Sequence, residues 1–235
     1  MLVALLFSCS ADGSTETSSS EHTGDEPREA TLADLLGNLA TNCSPVEGSG
    51  KLSTDDGGER NIPVCQLEGA VSWMADMDVD CDGLETEVCN RQTDDAYQDD
   101  TSIRASDGSK IDASVVPFVV VPLATGMDGC EIDNGFDYRA ADVQLGAVAA
   151  VVYQQQIHYG AFVDEGPCNI IGEASYAMAS RFGFDPDPST GGHEKHDVAY
   201  FVFTGADAVA PKVEDESAVG TLGYDLVAAR MGIPN

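Results

Sequence analysis

Positive charge is scarce in this chain. Its 235 residues hold 11 Lys and Arg against 41 Asp and Glu, a formal net charge of −30. A surface so acidic repels nucleic acid and anionic lipid headgroups and attracts cations and polycations. Long hydrophobic runs are missing too. The apolar start, Met1 to Phe7, is too short to span a bilayer and lacks the basic n-region of a full signal peptide. No CxxC pair argues for a zinc ribbon, and no nucleophile elbow, phosphate loop or dinucleotide fingerprint is present. There is no internal repeat. No cofactor and no metal ligand set is therefore expected. The acidity by itself fits solubility or salt adaptation, because the acids spread along the whole chain.

The apolar start ends at Ser8-Cys9 and a Ser/Thr/Glu tract follows. This resembles the end of a bacterial lipoprotein signal, with Cys9 as the lipidated residue. The expected location is secreted or at the cell surface, on the bacterial outer envelope, with membrane contact only through that anchor. Six cysteines remain: Cys43, Cys65, Cys81, Cys89, Cys130 and Cys168. Six half-cystines allow fifteen pairings. Sequence proximity favours Cys81–Cys89, and by the same reasoning Cys43–Cys65 and Cys130–Cys168.

The expected organisation is a signal-like segment over 1–9, a polar linker over 10–30, one domain over 31–205 and a tail over 206–235. Helical spacing runs from Thr31, a candidate N-cap, to Ala40. Residues 44–61 read as loop, and 84–114 as polar and irregular. Strand-like runs are Ala70–Met74, Val115–Pro122, Leu145–Gln154, Gln156–Asp164, Asn169–Glu173 and Val198–Thr204, bounded by Gly, Pro and Asp. The run at 145–153 is apolar on both faces, which places it centrally. Short helices are expected over Ser175–Phe182 and Asp225–Met231. The fold class is mainly β (α+β): a single compact β-barrel-like domain with a few short helices and disulfides. By fold analogy the barrel is of double-psi type.

Two acids, Asp164 and Glu173, end two of these runs, with Gly166, Pro167 and Cys168 between them. Two carboxyl groups held a fixed distance apart suit hydrolysis of a glycosidic bond, one as acid and one as base. The bland alternative makes them a turn residue and a helix-start acid. Strand alternation puts His158, Gly160, Phe162 and Asp164 on one face, suited to a sugar cleft, and leaves Ile157, Tyr159, Ala161 and Val163 to pack inward. Gly172 lets backbone or substrate approach beside Glu173. A second cluster carries Asp76, Asp78, Asp80 and Asp82. In extended chain these share a face and repel, so they need a cation, a positive substrate or a curved path. Asp78, Asp80, Asp82 and Gly83 match the first half of a calcium loop, but its twelfth position is Cys89. His193 and His196 read as ordinary loop histidines.

Taken in order, Cys43, Cys65, the block Met77–Gly83 (MDVDCDG), Cys89, Val116–Val120, His158-Tyr159-Gly160, Asp164, Gly172–Ser175, His196-Asp197-Val198 and Phe203-Thr204-Gly205 resemble glycoside hydrolase family 75, the fungal-type chitosanases. The resemblance covers roughly 40–205. It implies an inverting endo-hydrolase of β-1,4-linked glucosamine, with chitosan or its oligosaccharides as partner, no nucleic acid, and a monomer. It maps the two essential carboxylates onto Asp164 and Glu173. Glu173 follows an apolar run, where desolvation favours a protonated acid, and Asp164 lies nearer polar loop residues, as a base would; the reverse assignment is the alternative. Substrate contacts fall to Asp78, Asp80, Asp82, His158, Tyr159 and Phe162. The family's Trp-Gly before the catalytic Asp is replaced here by Phe162-Val163, and the 165–169 loop differs. The alternative is a non-catalytic polysaccharide- or calcium-binding surface lipoprotein on the same fold.

Overall fold

The computed structural model describes residues 27–47, 50–124, 126–128, 130 and 136–230. Cys9 and residues 10–26 of the expected linker lie outside these residues, as does Met231. The strands are β1 (Ser44–Pro45), β2 (Lys51–Leu52), β3 (Ile62–Pro63), β4 (Cys65–Leu67), β5 (Ala70–Asp80), β6 (Phe118–Pro122), β7 (Val148–Tyr153), β8 (Gln156–Gly166), β9 (Glu173–Ser175) and β10 (His193–Phe203). The helices are α1 (Pro27–Thr41), α2 (Tyr176–Phe182) and α3 (Glu216–Arg230).

The main sheet runs β1-β4-β5-β10-β7-β8-β6-β9, and a further β5–β9 pairing closes six of its strands into a barrel. Closure rests on two parallel pairs, β6–β8 and β5–β9, in an otherwise antiparallel sheet. The mainly β, barrel-like expectation holds. So does the central place of β7, which pairs on both sides and is buried over Val148–Val152.

Strand alternation sorts the apolar residues into two layers. Val71, Trp73, Ala75, Met77, Val119, Val121, Val151, Phe162, Tyr200 and Val202 fill the barrel. Phe118, Val120, Ala150, Val152, Ala161, Val163, Phe201 and Phe203 face outward and are covered by Leu36 of α1 and by Val219, Leu226 and Val227 of α3. Inside, the Trp73 and Tyr200 rings stack with centroids 5.3 Å apart. Arg230 ties the end of α3 to the barrel by donating to the Gly69 and Thr204 carbonyls at 2.7 and 2.6 Å.

Several local expectations change, among them the terminal helix, which spans Glu216–Arg230, and the 44–61 stretch, which holds the short strands β1 and β2. Helix α1 starts at Pro27, four residues ahead of Thr31, because proline's fixed φ suits a first helical turn. Strand β5 runs on through the acidic stretch to Asp80 instead of ending near Met74, since β9 and β10 pair with its far half. His193 lies on β10, paired with Met77 across an irregularity, and not in a loop. Residues 169–172 form no strand beyond a single Ser53–Ile170 bridge, and the ladder begins at Glu173. The three disulfides, Cys43–Cys65, Cys81–Cys89 and Cys130–Cys168, are the pairs sequence proximity favours.

The most consequential irregularity is in β8. Val119 pairs with Phe162, but Val120 pairs with Asp164, so Val163 is an extra residue and the strand bulges. Alternation alone puts Phe162 and Asp164 on one face. The bulge separates them, leaving Phe162 fully buried inside the barrel. It also reverses the expected packing, with Ala161 and Val163 in the outer layer. Truncating Phe162 to Ala should therefore cost stability, about 3–5 kcal/mol as for other buried aromatics. Denaturant unfolding of the Phe162→Ala variant checks this.

Candidate functional site

The bulged end of β8, the closing pair β5–β9 and the disulfide loop after β5 meet around one cleft of roughly 600 Å³. Asp78, Asp80, Asp82, Asp94, Asp164, Glu165, Glu173 and Glu194 all line it, and among the described residues no Lys, Arg or His does. The cleft thus gathers eight carboxyl groups, with no lining cation among the described residues. Its acids come from distant parts of the sequence. The parallel register sets Asp78 beside Glu173 and Asp80 beside Ser175. Ser175 then caps α2, its hydroxyl accepting from the Met178 N–H at 3.1 Å and from the Phe118 N–H at 3.0 Å, which fixes the chain just past Glu173.

Gly172 carries out the close approach expected of it. Its φ is 116°, and a Cβ there would stand 2.3 Å from Asp76 Oδ1. Gly166 makes similar room, since its Cβ would fall 2.7 Å from Glu173 Oε2. Either side chain would push the carboxyl group of Glu173 or its neighbour Asp76 out of place.

The two central acids sit in different surroundings. Asp164 is buried, and its Oδ1 accepts the Ser102 N–H and hydroxyl, each at 2.7 Å, and the Glu165 N–H at 3.0 Å. Burial pushes its pKa up, while these donors pull against that. For Glu173, burial pushes the pKa up to about 8, and the neighbouring charges of Asp78, Asp164 and Asp82 add to the rise. Among the described residues no N–H or hydroxyl donates to its carboxyl group. Glu173 is thereby held protonated at neutral pH, while Asp164 keeps donors that favour its ionised form.

The rest of the acidic cluster is perturbed in the same direction. Asp80 is pushed well above the usual carboxylate range, first by burial and then by Asp82 and Asp164, although its Oδ1 accepts the Asp82 N–H at 2.6 Å. Burial raises Asp82 to about 7 against the Gln98 N–H donated to its Oδ1 at 2.6 Å. Asp78 rises to about 6, by burial and then the charges of Asp55 and Glu194. One carboxylate oxygen each from Asp80, Asp82 and Asp164 lie within 4.8 Å of one another. The Cys81–Cys89 disulfide stands between Asp80 and Asp82, and the Cys130–Cys168 disulfide anchors the loop just after Asp164.

The structure thus brings together Asp78, Asp80, Asp82, Asp164 and Glu173 of the expected site residues. It places His158, Tyr159 and Phe162 elsewhere. His158 packs edge-on against Phe182, with centroids 4.6 Å apart. Tyr159 lies against Gly223 of α3, where a Cβ would meet its ring at 2.3 Å. Phe162 is inside the barrel, so a Trp at that position would also fill the interior and not the cleft. The histidines do not converge. His193 pairs with Asp197 at 2.5 Å, and His196 lies 3.2 Å from the Thr54 hydroxyl. Asp94, Glu165 and Glu194, which line the cleft, and Ser102, which donates to Asp164, are not singled out by the sequence. Ser102 sits in an irregular polar stretch with no motif around it, so only the folded chain shows its role. Tyr138 donates its hydroxyl to Glu165, fixing that acid on the cleft wall.

The profile of the family described as "Fungal chitosanase of glycosyl hydrolase group 75" matches residues 77–223. An endo-chitosanase of Aspergillus oryzae is 33% identical over 167 residues, covering 67% of this chain and 65% of its own length. Endo-chitosanase B of the same species is 28% identical over 229 residues, covering 85% of this chain and 92% of its own length. An endo-chitosanase of Aspergillus fumigatus is 28% identical over 207 residues, covering 79% and 84%. The chain spans about two thirds of the length of the first of these relatives.

The raised carboxyl groups carry a stability consequence. Burial pushes Glu173 and Asp76 up to about 8, Asp82 up to about 7 and Asp78 up to about 6 in the folded chain, against ordinary values of 4.5 for Glu and 3.8 for Asp. Between about pH 4 and 8 the folded state binds more protons than the unfolded, so stability falls as pH rises. Below about pH 4 both states are protonated and these groups have no effect. Calorimetric Tm should therefore drop steadily from pH 4.5 to 8, and Glu173→Gln should flatten the upper part of that slope.

Proposed function

The chain belongs to glycosyl hydrolase group 75, the family of fungal chitosanases, and on that premise we propose that it is an endo-acting, inverting chitosanase. The observation that carries the reading is the cleft itself, in which a donor-poor Glu173 and a donor-rich Asp164 stand among eight carboxyl groups, with no lining cation among the described residues. Glu173 acts as general acid and protonates the glycosidic oxygen. Asp164 acts as general base and draws a proton from the water that attacks the anomeric carbon from the opposite face. Inversion calls for a carboxyl separation of roughly 6.5–9.5 Å, enough to admit that water.

Asp78, Asp80 and Asp82 take the ammonium groups of glucosamine units. An N-acetylated sugar lacks that charge and gains nothing from these acids, which supports chitosan over chitin. The −30 net charge draws a polycation toward the cleft, an effect that salt screens. His158, Tyr159 and Phe162 have no part in this reading, since they pack away from the cleft. Three disulfides support an oxidising compartment and hence export. Among the described residues no helix is long and apolar enough to cross a membrane. A lipid anchor at Cys9 is the expected attachment.

Reducing-end release from highly deacetylated chitosan tests the reading. Glu173→Gln and Asp164→Asn should each lower kcat by about 10²–10⁴-fold, the usual worth of a positioned acid or base. Chitin should be left intact, and KM for chitosan should rise with salt. No release by correctly disulfide-bonded wild type would leave a polysaccharide-binding protein instead. A finer test concerns Ser102. Ser102→Ala removes one hydroxyl donor to Asp164, which raises that group's pKa. The acidic limb of the kcat/KM profile should then move to higher pH while the basic limb, set by Glu173, stays in place.

A further inference from the structure

A second group of acids lies beside the cleft, where β5 passes under the bend after β2. One carboxylate oxygen each from Asp55, Asp76 and Asp78 lie within 4.8 Å of one another. Asp55 and Asp78 are exposed, but Asp76 is only 5% exposed. Asp76 Oδ1 is fully shielded and has no hydrogen-bond partner among the described residues. Such an oxygen is costly to bury unless a cation or a proton compensates it. Gly172 leaves the space against it bare of side chain, since a Cβ there would stand 2.3 Å away.

The groups around the cluster supply that compensation only in part: the Thr54 hydroxyl favours the ionised Asp76 carboxyl group, while its Oδ1 keeps no partner among the described residues. Among the described residues, no Lys or Arg forms an ion pair with any of the three acids. Glu194 adds negative charge near Asp78. The Thr54 hydroxyl lies 3.2 Å from both Asp55 Oδ2 and His196 Nε2. The Tyr200 hydroxyl donates to the backbone carbonyl of Asp76 at 2.7 Å and leaves the carboxyl group untouched. Burial, then the charges of Asp78 and Asp55, push Asp76 up, against the pull of the Thr54 hydroxyl.

We propose that Asp55, Asp76 and Asp78 form a binding site for a hard divalent cation of the calcium class. The donors are all oxygen, which suits calcium over zinc or copper. Three carboxylates provide three of the six to eight ligands calcium takes, and the exposed side, between Asp55 and Asp78, admits water for the rest. This is not the calcium loop suggested by the DxDxDG pattern, because Asp78 and Asp80 lie on strand β5. The ion joins the bend after β2 to β5, next to the point where the Asp78 N–H bonds the Gly172 carbonyl at 2.8 Å. It thereby braces the β5–β9 closure that carries Glu173. The proposal does not rest on the hydrolase reading, and its test reads binding, not turnover.

The test uses the full chain freed of metal with a chelator, then titrated with CaCl2 and, separately, with Tb3+. Calcium at a hundredfold excess over its Kd should raise Tm by roughly 5–10 °C. Terbium should luminesce on excitation of the buried Tyr200 and Trp73, and calcium should quench that emission by displacement. Asp55→Asn and Asp76→Asn should each weaken calcium binding at least tenfold. Asp164→Asn, which alters the neighbouring Asp80–Asp82–Asp164 group, should leave it within twofold. Absence of both the Tm rise and the terbium signal would overturn the proposal and leave Asp76 protonated. Equal binding by wild type, Asp55→Asn and Asp76→Asn would overturn it in favour of diffuse attraction to an acidic surface. No calcium effect, with chitosan-oligomer binding weakened by Asp55→Asn, would overturn it in favour of a sugar subsite.

Discussion

The parallel pairing of β5 with β9 is the contact on which the rest of the structure depends. It is the pairing that turns an open sheet into a closed barrel, and it spans only Asp78–Asp80 against Glu173–Ser175. Those are also the residues that carry negative charge into the cleft. Barrel closure and the gathering of like charges are therefore one event. Two carboxylates about 5 Å apart repel by about 3 kcal/mol at an effective dielectric near 20, so a pairing that adds such contacts must be held by something else. The apolar interior is what holds it. Met77 and Ala174 point into the barrel from the same two strands, and Tyr200 reaches across to the Asp76 carbonyl.

The cleft keeps its acids distinct through hydrogen bonds, not through distance alone. Asp164 and Glu173 are both withdrawn from water, and both are pushed up by burial. What separates them is the donor set on Asp164 Oδ1, two groups from Ser102 and one from Glu165. The β8 bulge is what makes that set reachable. It turns Asp164 out of the barrel and toward the Ser102 loop, while Phe162 stays inside. One inserted residue, Val163, thus sets the side chain's direction, its partners and the form it favours.

That bulge also marks the limit of what the sequence reveals. The apolar character of 148–152, the strand leading to Asp164, the short helix after Glu173 and the disulfide pairs were legible, because each follows from local composition or short separation. The acids at 78, 80, 82, 164 and 173 were legible as candidates, because few other residues in the chain combine such spacing with strand-like flanks. The faces were not legible. A two-residue period assumes regular pairing, and whether β8 bulges depends on its register with β6, some 40 positions earlier in the chain. His158 and Phe162 were grouped with Asp164 by that period, and the bulge parts Asp164 from them. Ser102 had no local signature at all, since its value comes from a contact with a residue 62 positions away.

The cost of the cleft falls on the closed barrel, and the disulfides sit where that cost is greatest. Cys81 separates Asp80 from Asp82, and Cys168 follows Asp164 by four residues. Both therefore restrain segments that repulsion would otherwise drive apart. A disulfide stabilises typically by about 2–4 kcal/mol, comparable to one strong carboxylate repulsion. A bound cation offers a different kind of relief, because it lowers the energy of the folded cluster directly instead of limiting the unfolded chain. A polymer bearing many ammonium groups does the same along the length of the cleft. The strain that makes the free protein less stable toward neutral pH is then the source of affinity for positive ligands, and an apolar repacking of these positions would trade that affinity for stability.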